Sequence, residues 1–151
     1  MYARKIRYQI EFDGDPLRDL LKKVERRTKN LEPVFLKAEE RLKESWIFNF
    51  TTQGSLVGGW KPLDAEYGAW KAKRYIGAPM LVQNGKLFRS LERLNVRVIR
   101  KKSATFGIRG DVAKFHQFGT WSMPKREIIF EPPLFAKQLE KDVAEYLEDA
   151  D

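Results

Sequence analysis

The chain of 151 residues has no cysteine and a single histidine, His116. Without thiols it forms no disulfide and offers no thiolate to a metal, which agrees with a reducing compartment. No apolar run approaches the roughly 18 residues that span a bilayer. The opening Met1-Tyr2-Ala3-Arg4-Lys5 leads into an alternating segment and lacks the apolar stretch of a secretory signal. These absences predict a soluble protein made in a cytoplasm, with no membrane partner. Catalytic motifs are missing as well. Gly54-Ser55-Leu56-Val57-Gly58-Gly59 lacks the Lys-Ser/Thr of a phosphate-binding loop, and no nucleophile motif accompanies His116. Glu140, Asp142, Glu145, Glu148 and Asp149 read as the solvated face of a helix, without the converging oxygens and sharp glycine turn of a calcium loop. His116 is therefore read as a packing or hydrogen-bonding residue beside Phe115 and Phe118. The expectation is a protein that is not an enzyme and uses no cofactor or metal.

Hydrophobic residues make up 42% of the chain and aromatics 13%, enough to build a core. One domain over residues 1–151 is expected at this length. Positive charge dominates: the net charge is +8, and residues 61–120 hold thirteen Lys and Arg against four Asp and Glu. Residues 121–151 reverse the balance, with four against eight. Such segregation suits attraction to nucleic acid, charge complementarity between protein surfaces, or simply a solvated exterior.

The pattern along the chain predicts an α+β fold. Ile6, Tyr8, Ile10 and Phe12 alternate with polar residues, as in a strand with one buried face. Asp13-Gly14-Asp15-Pro16 forms a turn and helix start. Leu17, Leu20, Leu21, Val24 and Thr28 then recur at helical spacing, Pro33 interrupts or kinks the pattern, and Leu36, Leu42 and Trp46 extend it towards Phe50. Together these make a long N-terminal helical arm. Glycines and the aromatics Trp60, Tyr67 and Trp70 punctuate residues 51–79, read as a mobile loop with room for a short helix over 64–75. Those three rings are either interface anchors or part of the core. Residues 80–93 fit a hairpin turning at Asn84-Gly85 or a helix with Leu81, Gly85, Phe88 and Leu91 on one face. Val96, Val98 and Ile99 pair with Thr105, Phe106 and Ile108 in a hairpin whose tip is Arg100-Lys101-Lys102-Ser103. Arg97, Arg100, Lys101, Lys102 and Arg109 are the electrostatic candidates on it. Aromatic interleaving is poor there, which argues against a single-strand-binding sheet and leaves non-specific phosphate contact. Val112, Phe115, His116 and Phe118 suggest a short helical or extended piece ending at Gly119. Ile128-Ile129-Phe130 reads as a short buried strand, and Phe135, Leu139, Val143, Tyr146 and Leu147 mark a C-terminal helix.

Four blocks in order carry a resemblance: Gly59-Trp60-Lys61-Pro62-Leu63, then Leu81-Val82-Gln83-Asn84-Gly85-Lys86-Leu87-Phe88-Arg89-Ser90-Leu91, then Phe115-His116-Gln117-Phe118-Gly119, then Pro124-Lys125-Arg126. Over about residues 46–135 the chain resembles the phage virion-morphogenesis family of tail completion or head–tail joining proteins. It departs from the family pattern at Asn84, where Thr is usual, and at Val112-Ala113, where Tyr-Ala is usual. The resemblance implies that Leu81, Val82, Gly85, Leu87 and Ser90 lie in a packed central helix, with Gly85 at a close sheet crossing. It also implies a corner at His116, Phe118 and Gly119, with Phe118 plugging the core, and a last strand beginning at Pro124 and Arg126. The implied function is a structural phage or prophage virion protein in the neck or tail, assembled in the host cytoplasm. Expected partners are copies of itself in a ring, sixfold by analogy, other neck or tail proteins, and packaged double-stranded DNA in the channel. The 51–79 segment would then order on assembly. A nucleic-acid-binding module using the basic hairpin is the alternative.

Overall fold

The computed structural model describes residues 5–11, 27–83 and 85–149. Strand β1 (Lys5–Glu11) follows from its alternation: Ile6 and Ile10 are buried while Lys5, Arg7, Gln9 and Glu11 face out. It pairs antiparallel with β3 (Ser103–Arg109), which pairs antiparallel with β2 (Val96–Ile99), giving the order β1-β3-β2. Register places Ile6 opposite Ile108, Tyr8 opposite Phe106 and Ile10 opposite Ala104. One apolar face results. The β2–β3 hairpin is the expected one, closed where Arg100 N–H donates to Ser103 O at 2.8 Å.

Helix α1 (Glu32–Thr51) lies against that face, burying Val34, Phe35, Ala38, Leu42, Trp46 and Phe50. Pro33 does not kink it. It sits in the first turn, where a proline has no hydrogen bond to lose, and so helps start the helix. The expected helix over 17–26 lies outside the described residues. Helix α2 (Ala65–Arg74) is capped by Asp64, whose Oδ1 accepts from Glu66 and Tyr67 N–H at 3.1 and 3.2 Å.

Residues 80–93 resolve to helix, but only from α3 (Lys86–Arg93) onward. Gly85 is its N-cap at φ +75°, and a Cβ there would meet only the Arg89 guanidinium. It is present for its backbone angle, not for a sheet crossing. The glycine that admits a close approach is Gly107 on β3, where a Cβ would overlap the Ile6 carbonyl of β1.

Helix α4 (Asp111–Phe118) ends at Gly119, and α5 (Phe135–Glu148) packs on α1 through Phe135, Val143 and Leu147. Tyr8 joins the layers, edge-on to both Trp46 and Phe135 at 6.0 and 5.7 Å between centroids. The described residues thus form five α-helices and a three-stranded antiparallel sheet, an α+β fold.

Candidate assembly surface

Arg126, Ile128 and Ile129 are buried, but the chain bends at Ile128 and Ile129 and residues 126–130 form no strand. The expected strand at Ile128-Ile129-Phe130 is absent because side chains take the place of a neighbouring ladder. Gln117 on α4 accepts from Ile128 N–H at 2.8 Å and Ile129 N–H at 2.9 Å, and donates to Ile129 O at 2.6 Å. Glu127 O receives both Trp60 Nε1 at 3.1 Å and Asn49 Nδ2 at 3.2 Å. Trp46 Nε1 donates to Phe130 O at 2.8 Å. Each buried polar group of the backbone that lacks a partner costs about 1–3 kcal/mol, so these side chains fix the path of the segment.

Three of the four blocks singled out in the sequence converge here. Arg126 N–H donates to His116 O at 2.7 Å, and its guanidinium reaches back to Lys61 O at 3.0 Å and Pro62 O at 3.1 Å. Lys71 on α2 donates to Pro79 O at 2.6 Å. Lys71 and Arg126 are each only 4% exposed, and burial lowers the pKa of both. His116 stands near these two cations with its Nδ1 buried and unpartnered. Burial first, then Arg126 and Lys71, push its pKa down to about 4. At neutral pH the ring is uncharged, as a packing residue between cations must be. Gly119 completes the corner at φ +71°, where a Cβ would also stand 2.9 Å from Lys125 N.

Phe118 does not plug the core. It is 63% exposed, because Gln117 is the residue that α4 turns inward. Val112, Phe115 and Phe118, spaced by three along α4, are all exposed, and Trp121 just beyond is 100% exposed. Single exposed apolar residues are ordinary, but a stripe on one helix face marks a contact surface. The three rings of the 51–79 segment divide. Trp60 is buried against Phe50, whereas Tyr67 and Trp70 stack on each other at 5.6 Å on the surface of α2. Leu81, Val82 and Leu87 pack at the core's edge, Ser90 bonds back to Lys86 O, and Pro124 is half-buried.

The hairpin candidates divide too. Arg97 is committed to Glu39 of α1 at 2.7 Å, a hydrogen bond that raises its pKa. Arg100, Lys101, Lys102 and Arg109 remain exposed. The hairpin tip is joined to the start of α1 by Leu31 N–H to Lys101 O at 2.8 Å. Tyr146 of α5 donates to neighbouring Asn30 O at 2.8 Å. Basic tip and acidic helix end therefore neighbour each other within one chain.

Sequence reading missed Gln117 as the inward residue, Lys71 as a buried cation, and Trp121 altogether. The three-residue spacing of Val112, Phe115, Phe118 and Trp121 was the available signal. Among the described residues no group of three or more His, Cys, Asp or Glu is placed to hold a metal ion, and no helix is long and apolar enough to cross a membrane.

Compared with known proteins, residues 12–147 match the model of the phage virion morphogenesis family. The match extends beyond residues 46–135 on both sides and begins just after β1. No curated protein and no solved structure matches the chain.

Proposed function

The chain belongs to the phage virion morphogenesis family, and from that premise we propose that it is a structural component completing the tail or joining it to the head. In this reading it forms a ring in the neck, sixfold by analogy with such assemblies, and works through protein contact without turning over a substrate. Its partners are copies of itself and other neck or tail proteins, with packaged DNA passing through the channel.

The observation that carries the reading is the exposed stripe of Val112, Phe115, Phe118 and Trp121. Val112, Phe115 and Phe118 stand on the same helix whose Gln117 pins residues 126–130, with Trp121 just past its end. A second aromatic group, Tyr67 and Trp70, lies on α2, whose Lys71 is in the electrostatic reach of His116 on α4. Aromatic anchors on rigid supports are what protein interfaces use. His116, neutral and hemmed by cations, supports a structural role for the motif.

Electron microscopy of particles assembled without this protein tests the proposal. Filled heads and separate finished tails are expected; normally joined particles would refute it. The alternative, a nucleic-acid-binding module, draws on the exposed Arg100, Lys101 and Lys102. Binding to double-stranded DNA with a steep salt dependence, from a protein that never assembles, would favour it.

A further inference from the structure

Trp121 is fully exposed, although an indole is among the most favourable side chains to bury. With Val112, Phe115 and Phe118 it presents roughly 400 Å² of mostly apolar surface, within the roughly 300–600 Å² of the largest patch on a monomer, which is often functional. Elsewhere on the same chain lies a groove of about 310 Å³, lined by Arg41, Glu44, Pro132, Pro133, Leu134 and Gln138. That volume sits at the floor of the roughly 300–1,000 Å³ typical of ligand sites and suits a single aromatic side chain. Its prolines are already rigid, so little ordering is lost when a ring packs on them. Leu134 is itself an exposed apolar residue at the groove's rim.

Charge matches as well. Arg41 is neutralised by its ion pair with Asp142, which leaves Glu44 in the groove and exposed Glu131 beside it, against one exposed cation, Lys137. Arg109 and Lys114 flank the stripe, against Asp111. A net basic margin on one surface thus faces a net acidic margin on the other.

We infer that Trp121 of one copy seats in the groove at residues 132–138 of a second copy, with the α4 stripe packed against the rim at Leu134. Knob and groove are built from different residues, so the contact is heterologous: repeated, it closes into a ring or grows as a filament. Covering the stripe from both sides buries roughly 800–1,000 Å², below the roughly 1,200 Å² of a stable specific interface and in the range of weak, transient contacts. Each contact is weak alone, and ring closure supplies the avidity. This inference rests on the ring-forming reading above and names the surfaces that make the ring.

Two variants test it by sedimentation at tens of micromolar. Phe118→Ser with Trp121→Ser removes the knob, and Glu44→Lys with Leu134→Lys blocks the groove. All four residues are exposed or at a groove, and matching melting curves check that both variants fold. The wild type is expected to form rings or larger species, and each variant to be monomeric. Mixed one to one at roughly millimolar concentration, where a single weak contact is populated without ring closure, the variants should form a dimer and nothing larger, since one intact knob meets one intact groove. A monomeric wild type, assembly retained by either variant, or a mixture without dimers would each overturn the inference. Retained assembly would leave the tail-completion reading standing, because that is judged separately from joined particles under the microscope.

Discussion

Gln117 on α4 holds Ile129 from both sides: its amide donates to Ile129 O at 2.6 Å while its carbonyl oxygen accepts from Ile129 N–H at 2.9 Å. The same oxygen takes Ile128 N–H at 2.8 Å. One side chain thereby supplies what a neighbouring strand would. Gln117→Leu should destabilise the fold by roughly 3 kcal/mol or more, since it leaves two buried donors and one acceptor unpaired. Denaturant melts measure this, and a loss below about 1 kcal/mol would contradict the account.

Trp60 and Asn49 share the Glu127 carbonyl. Trp60→Ala would confuse cavity with hydrogen bond, so Trp60→Phe is the cleaner change. Alone it should cost only about 1 kcal/mol, because Asn49 still donates to that oxygen. In an Asn49→Leu background the same change should cost more. A double-mutant cycle reads the difference; strict additivity would show the carbonyl has another donor.

His116 gives the fold a pH dependence of known sign. Folded, it remains neutral down to about pH 4; unfolded, it takes its proton near 6.5. Between those values the unfolded chain binds more protons, so stability falls as pH drops from about 6.5 to about 4. Below that window the contribution is fully lost. His116→Gln should flatten this part of the profile of Tm against pH. Parallel profiles for variant and wild type would show that His116 is not the titrating group.

Gly107 pairs with Arg7 of β1, and any side chain there overlaps the Ile6 carbonyl. Gly107→Val should push the strands apart at a cost of at least about 2 kcal/mol. Amide exchange should rise along β1 before it rises along α1. Unchanged protection of Ile6 and Tyr8 would count against this.

Replacing Arg100, Lys101 and Lys102 with Glu separates the two functional readings. The triple variant should lose retention of double-stranded DNA at low salt, the salt slope falling by about one for each phosphate contact removed. Joined particles should still form. Failure of joining together with loss of DNA retention would shift weight to the hairpin.

Much of the architecture was legible in periodicity. The alternation in Lys5–Glu11, the β-prone runs flanking Arg100-Lys101-Lys102, and the apolar spacing of Phe135, Val143 and Leu147 each specify an element that the structure contains. What periodicity does not reveal is the identity of a backbone's hydrogen-bonding partner. Ile128-Ile129-Phe130 reads as a strand because three apolar, β-prone residues run together; the chain instead bends at Ile128 and Ile129, where Gln117 and two tryptophans take up the backbone polar groups. The family resemblance implies an inward Phe118, but a helix turn admits one of two adjacent residues, and the hydrogen bonds of Gln117 outweigh an aromatic ring there. Pro33 reads as a break when the apolar spacing is followed from Leu17 to Trp46, because that spacing does not show that a helix begins at Glu32. The exposed stripe of α4 was visible as spacing, but a spacing of three does not say which side faces water.

The side-chain brace around residues 126–130 also orders events during synthesis. Trp46, Asn49, Trp60 and Gln117 come from three separate stretches of chain, and all must wait for a segment that is synthesised after them. Such distant closures make for slow folding. A truncated product ending before Glu127 would leave both indole N–H groups and the Gln117 amide without their acceptors. The cell would then meet an open, protease-sensitive chain in place of a defective subunit able to enter a particle.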